Sequence, residues 1–505
     1  MAAHPSFAVP SPVIPGFDIT QTSVVSAGAF GFCLALSPGG LRLLVQGPAR
    51  PSVDAMVFEG DVVEQGGRRT LVCPLTARNA AALRSHLAWL RPRMLGQRTS
   101  AGFGDRLGLA TPGHIRALRA AGGNVAPVLA QQSVRENART GRTPGQVLDD
   151  ATWGAFEEGW REGYGADADH LKTTGDIDAF LAAGFSWFTL DPGSVVNGEA
   201  SALAGQALTT ALGGLPWVTL EDSWNVLRHR YGGREFQVEG FAIRFTDEAL
   251  ARAAVKYGAA IAAVTTLSRH LSAARPRGDF DLEVSVDETE TPTSPLEHFY
   301  IARELSRLGV RWASLAPRFP GSFEKGIDYR GSIDLFRKDL AVHAAIAREV
   351  GAYKISLHSG SDKFSIYPAA AELTRGAVHL KTAGTSYLEA LRTLATVTPD
   401  LFREIYGYSL EHYEADRASY HVSASLARAA VFSSVPDAEL PSALESDDAR
   451  QVLHVTYGSV LNERDGRGEL VFAGQIFAAL RAHREDYAAT LQAHFLRHLA
   501  PFVTP

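Results

Sequence analysis

From about Ala101 to Gly384 the chain repeats one rhythm: an apolar strand-like run, a polar tip, then a helical pattern. Strands that alternate with helices must be joined by crossovers, so this rhythm predicts βα units and a parallel sheet. The runs are GFGDRLGLA (102–110), VAPVLAQQS (125–133), YGADADHLK (164–172), GFSWFTLDP (184–192), FDLEVSVDE (280–288), VRWASLAPRF (310–319), AYKISLHSG (352–360) and AVHLKTAG (377–384). Helical patterns accompany them, such as TPGHIRALRAAG after the first and SIDLFRKDLAVHAAIAREV before the seventh. Eight such units predict an α/β fold, a closed (β/α)8 barrel of the TIM type, over residues 101–430.

Three stretches lie outside that rhythm. Residues 1–100 hold FGFCLAL, LRLLVQG, AMVFEGDVV and RRTLVCPL, short runs broken by Pro-Gly, Gly-Pro and Gly-Gly, and predict a small β module. Residues 193–279 are too many for one crossover and predict a helical insertion between strands four and five, placed to cover the active site as a lid. Residues 431–505 predict a C-terminal helical extension.

Composition narrows the partners. With 49 Lys and Arg against 55 Asp and Glu, the net charge of −6 offers nothing to nucleic acid or an anionic membrane. Cys33 and Cys73 form no CxxC pair, which points to a reducing cytoplasm rather than a disulfide or thiolate-metal protein. The start, MAAHPSFAVPSPVIPGF, has no basic region and is cut by prolines, unlike a signal peptide, and no run approaches a membrane helix.

In a barrel of this kind catalytic groups sit at the C-terminal ends of the strands. Here those ends carry Asp105, Arg106, Gln131, Gln132, Asp167, Asp169, His170, Lys172, Asp191, Asp287, Glu288, Arg318, His358, His379 and Lys381. Alternation puts His170 with Lys172, Glu283 with Ser285 and Asp287, Lys354 with His358, and His379 with Lys381 on shared faces. Asp287 and His358 are expected to share a top layer with His170, with Glu283 and Lys354 paired beneath. Three imidazoles, His170, His358 and His379, beside one carboxylate suit a divalent metal with an open position, such as Zn, Mn, Ni or Co. The structural alternative is that each histidine is a hydrogen-bonded core residue and each carboxylate an ion-pair partner. The loop Ser359, Ser361, Asp362 and Lys363 suits a polyhydroxylated anionic substrate, or else a capped turn before a helix. SAGFGDRLG places Leu107 where GxGxxG needs glycine, so no nicotinamide site is expected.

Several longer blocks carry a resemblance: GFGDRLGLATPGHI (102–115), AQQSVREN (130–137), GADADHLK (165–172), SVDETETPTSPLEH (285–298), SLAPRFPGSFEKGIDY (314–329), ISLHSGSDKFSIYP (355–368) and HLKTAGTSYLEALR (379–392). Through them the chain resembles the tagaturonate/fructuronate epimerase family of hexuronate catabolism. The resemblance implies a divalent-metal-dependent isomerase that interconverts the two sugar acids by inverting C4. It also implies that Asp169 is a base, His170 and His358 are metal ligands, and Glu283 is the opposing acid; the layer argument instead prefers Asp287 near the metal.

The hydrogen on C4 is β to the C2 carbonyl and not acidic, so direct deprotonation is disfavoured. Retro-aldol cleavage of C3–C4, rotation of the aldehyde and re-addition needs charge stabilisation, which a metal supplies, and an acid–base pair. Gln131, Lys172, Arg318, Lys325, Asp362, Lys363 and Lys381 are the candidates for holding the substrate. The expected partner is a small sugar acid, with further copies of the chain if it forms a homo-oligomer. The competing readings are a metal-dependent aldose/ketose isomerase on the same barrel and a non-catalytic sugar-acid-binding protein.

Overall fold

The computed structural model describes residues 14–47, 57–65 and 68–503. The proline-rich start considered above as a leader lies mostly outside these, as do Ala55 and Met56 of AMVFEGDVV.

The described residues up to Cys73 form a six-stranded antiparallel sheet. Its central hairpin joins Phe30–Ser37 to Gly40–Gln46 across the Pro-Gly break. Phe30, Phe32 and Leu43 on one face share a core with Leu83 of helix Ala77–His86. Thr76 caps that helix by accepting the N–H of Asn79.

Eight parallel strands then close into a barrel. They are Ser100–Gly104, Ala126–Ser133, Gly165–Leu171, Trp187–Leu190, Asp281–Ser285, Ser314–Ala316, Lys354–Leu357 and Val378–Thr382. The eighth closes on the first, with His379 opposite Ser100. All eight expected strands exist, although the first ends at Gly104 rather than 110. There Asp105 turns its carboxylate back to accept the N–H groups of Leu107, Gly108 and Ala110, which ends the extended run early.

Outward positions such as Leu282, Val284, Ile355, Leu357, Val378 and Leu380 are buried under the ring of helices. Inward positions are polar on most strands. Lys381 on strand eight reaches Asp167 and Asp169 on strand three and Glu283 on strand five, contacts that only cross the lumen. Barrels of this type usually fill that space with branched aliphatic side chains. The polar filling marks this lumen as a site.

The stretch 193–279 differs from the expected lid. Its 28-residue helix Asp247–Ala274 packs between helices Thr174–Ala183 and Pro295–Arg307 and so completes the outer ring. It is the one described helix long and apolar enough to cross a membrane, and 78 % of that apolar window is buried inside the protein. The remaining additions are helices Gly205–Gly213 and Trp224–Tyr231 and a hairpin, Glu235–Val238 with Phe241–Arg244. After the eighth outer helix, Thr385–Val397, helices Pro399–Asp416, Asp447–Val455 and Arg484–Leu499 pack on it, and the last also covers helix Thr111–Ala121.

Candidate active site

His358 follows the seventh strand and carries a carboxylate on each ring nitrogen. Its Nδ1 lies 2.9 Å from Asp287 Oδ1 and its Nε2 donates to Glu283 Oε1 at 2.6 Å. Ser285 Oγ donates to Asp287 at 2.6 Å, fixing that carboxylate just past the fifth strand.

His170 reaches the same place by a different route. Asp167 and Asp169 take the inward positions of the third strand, so alternation would turn His170 outward, with Lys172 half-exposed. The register slips here: Phe188 faces Ala168, but Leu190 faces Leu171. This bulge, with a left-handed φ of 55° at His170, returns the imidazole to the interior. Its Nδ1 donates to Asp191 Oδ2 at 3.1 Å, and its ring centroid is 5.2 Å from that of His358. One donor atom each from His170, Asp287 and His358 lie within 4.8 Å of one another.

Burial works against charge on both imidazoles, but neighbouring carboxylates outweigh it. Asp287, then Glu283, raise His358 to about 10, and Asp169 with the Asp191 hydrogen bond raises His170 to about 9. Burial likewise opposes ionisation of Asp287, Glu283 and Asp169, yet the cations around them hold all three below the usual carboxylate range.

Beneath this layer sits Lys381, which the sequence reading placed among the substrate contacts. Its ammonium instead donates to Asp169 Oδ1 at 2.6 Å and Thr189 Oγ1 at 2.7 Å, and lies 2.8 Å from Asp167 Oδ2 and Glu283 Oε1. Asp167 stood among the strand-end groups without an assigned role, although its alternation with Asp169 was visible in GADADHLK. Glu283 therefore pairs with Lys381 and His358, not with Lys354.

Lys354 and His379 lie one layer lower. Lys354 donates to Ser100 Oγ at 2.9 Å and to the Arg98 carbonyl at 3.2 Å, with its ammonium 4.4 Å from the Trp187 ring centre. His379 has Nδ1 2.9 Å from Ser100 Oγ and its ring tilted against that of Trp187 with centroids 4.7 Å apart, away from the donor cluster. It stands two positions before Lys381 along the strand, and that step takes it out of reach of the top layer.

The loop after His358 divides in two. Ser359 Oγ accepts from Lys325 Nζ at 2.7 Å and faces the cavity. Asp362 and Lys363 do not. Asp362 is ion-paired with Arg450 at 2.8 Å and His494 at 2.7 Å, and its N–H donates to His498 Nε2 at 2.9 Å, which bolts the loop to the C-terminal helices. Lys363, lowered to about 7 by burial, donates to the carbonyls of Glu324, Ile327 and Ser361. Neither Ser361 nor Asp362 caps the following helix, Tyr367–Thr374, whose N-cap is Ile366.

A cavity of about 220 Å³ opens against the cluster at Asp287 and His358. Arg318, Lys325, Phe323 and the pair Tyr420–His421 form much of its wall, and none of its lining comes from residues 193–279. The loop from Pro317 and the segment after helix Pro399–Asp416 thus build the mouth in place of the insertion. Tyr420 and His421 carried no local signal in the sequence. Lys172 pairs with Asp191 at 3.4 Å. Gln131 lies over Gly102, where any Cβ would meet its amide at 2.6 Å, and both polar atoms of that buried amide lack a partner.

Comparison with known proteins gives one consistent match. A profile described as tagaturonate epimerase matches residues 32–502. A tagaturonate/fructuronate epimerase of Thermotoga maritima is 43 % identical over 489 residues, covering 96 % of each chain. A glycerol-complexed crystal structure of the fructuronate-tagaturonate epimerase from Cohnella laeviribosi superposes with a TM-score of 0.90 at 38 % identity, covering 96 % of each chain. The native crystal structure of that enzyme gives 0.89 at 37 % identity, covering 97 % of each.

Proposed function

The chain belongs to the tagaturonate epimerase family, and from that premise we propose that it inverts C4 between tagaturonate and fructuronate by metal-assisted retro-aldol and aldol steps. It is an isomerase, which sets aside the non-catalytic reading. The observation that carries the metal reading is the donor set itself. His170, Asp287 and His358 present two nitrogens and an oxygen within 4.8 Å of one another. Each imidazole has its other nitrogen on a carboxylate, Asp191 for His170 and Glu283 for His358, the arrangement that orients metal-ligating histidines. A bound divalent cation supplies Lewis-acid stabilisation for the negative charge that C3–C4 cleavage develops.

The chain's own groups supply the rest. Asp169, kept ionised beside Lys381, takes the proton from the C4 hydroxyl. Glu283, on the far side of the same ammonium, is assigned the opposing group; ionised at rest, it takes up a proton before returning one to the C4 oxygen after rotation. The unpartnered amide of Gln131 is suited to a substrate hydroxyl. The sequence of events needs no nicotinamide. A cytoplasmic location is supported by two free, buried thiols, Cys33 and Cys73, each raised to about 12 by burial and so unreactive.

The test is metal analysis of the purified protein with turnover of fructuronate before and after chelation. Stoichiometric divalent metal, activity lost on chelation and restored by metal, is the expected result. Full turnover by metal-free protein contradicts it.

A further inference from the structure

Two cations in the cavity wall have no carboxylate partner, and, resting on the reading above, we propose that Arg318 and Lys325 form the clamp for the carboxylate group of the sugar acid and set acid against neutral specificity. The other charges of the wall are satisfied within the protein. Arg135 pairs with Glu288 at 3.0 Å, and Asp287 with His358 at 2.9 Å. Arg318 has only the Asp287 carbonyl, 3.5 Å from Nη1, and its buried Nε has no acceptor. Lys325 has only the neutral Ser359 hydroxyl. Among the described residues neither is ion-paired. Half-burying two cations without a counter-charge is unfavourable, and an anionic ligand relieves it.

Their attachment points give the clamp its register. Arg318 leans on the main chain of Asp287, and Lys325 on the residue after His358, so both cations are indexed to the donor cluster where the reacting carbons sit. The Lys325 loop is also held from outside the cavity: Lys363 donates to the Glu324 carbonyl at 2.8 Å and to that of Ile327, and Arg450 Nε to that of Gly326 at 2.6 Å. An ammonium fixed in this way loses little freedom on binding. A guanidinium with a free edge accepts a carboxylate in bidentate fashion. Fructose, the same ketose with an alcohol at C6, leaves both cations unmet, and a site is most selective against ligands that leave buried polar groups unpaired.

The test is calorimetric titration of fructuronate and of fructose into holoenzyme carrying Arg318→Met, Lys325→Met or Lys325→Arg. Each methionine variant is expected to weaken fructuronate about tenfold to a hundredfold while moving fructose less than about threefold, and Lys325→Arg to recover part of the loss. Parallel losses for both sugars would make the rim structural and overturn the clamp, as would unchanged fructuronate affinity. Wild-type binding without epimerisation would overturn the assigned reaction instead, with the affinity ratio still deciding the clamp.

Discussion

Lys381 holds its ammonium 2.6 Å from Oδ1 of Asp169, in a lumen where both side chains are almost fully buried. The same ammonium serves Asp167 and Glu283, so one cation separates three carboxylates contributed by two strands. Removing one partner of such a set leaves buried like charges without compensation. Lys381→Met is therefore expected to lose about 3–5 kcal/mol of stability in chemical denaturation and to lose most turnover. A variant of wild-type stability would show that the three carboxylates do not share this charge.

His170→Ala and His358→Ala are expected to lose bound metal and activity together, because the remaining donors no longer close a site. His379→Ala is the contrast. It breaks a contact to Ser100 and the packing on Trp187, so a stability loss of about 1–3 kcal/mol is expected with the metal retained. Metal analysis of the three variants checks this, and loss of metal from His379→Ala would return that residue to the ligand set.

Asp169→Asn keeps the shape of the side chain and removes its basicity. Metal content should stay near that of the wild type while kcat falls on the order of 10²–10⁴. Wild-type turnover in this variant would move the base elsewhere.

The metal-free chain should bind its cation in exchange for protons. His358 at about 10 and His170 at about 9 both stand above the ordinary histidine value, so both are charged at neutral pH. Their contribution to the stability of the metal-free fold is complete below about pH 6.5 and is lost as pH rises through 9 and then 10. Metal affinity runs the other way, rising with pH up to that range with about two protons released per cation. Calorimetry in buffers of different ionisation enthalpy measures that number, and affinity independent of pH would contradict the assignment.

Much of the barrel was legible because strand, tip and helix repeat locally. Asp287 and His358 were legible for the same reason, since two-residue alternation places both inward at adjacent odd strands. His170 was identified while the reason for its placement was not: alternation pointed it outward, and only the bulge between strands three and four brings it in. His379 shares a face with Lys381, but a face does not specify a layer. Asp362 and Lys363 have the composition of a substrate loop, but Asp362 is drawn away by Arg450, His494 and His498 and Lys363 by the carbonyls of Glu324 and Ile327, long-range contacts without local signature. The mouth shows the same limit, because Tyr420 and His421 reach it only through the packing of helices after 397.

Turnover in heavy water tests the central claim most directly. Cleavage and re-formation of C3–C4 leaves the C4 hydrogen on its carbon throughout, so product analysed by NMR should carry no deuterium at C4 and little at C3, where the fragment is shielded before re-addition. Activity should persist without added nicotinamide. Deuterium at C4, or strict dependence on NAD, would contradict C4 inversion by metal-assisted bond cleavage.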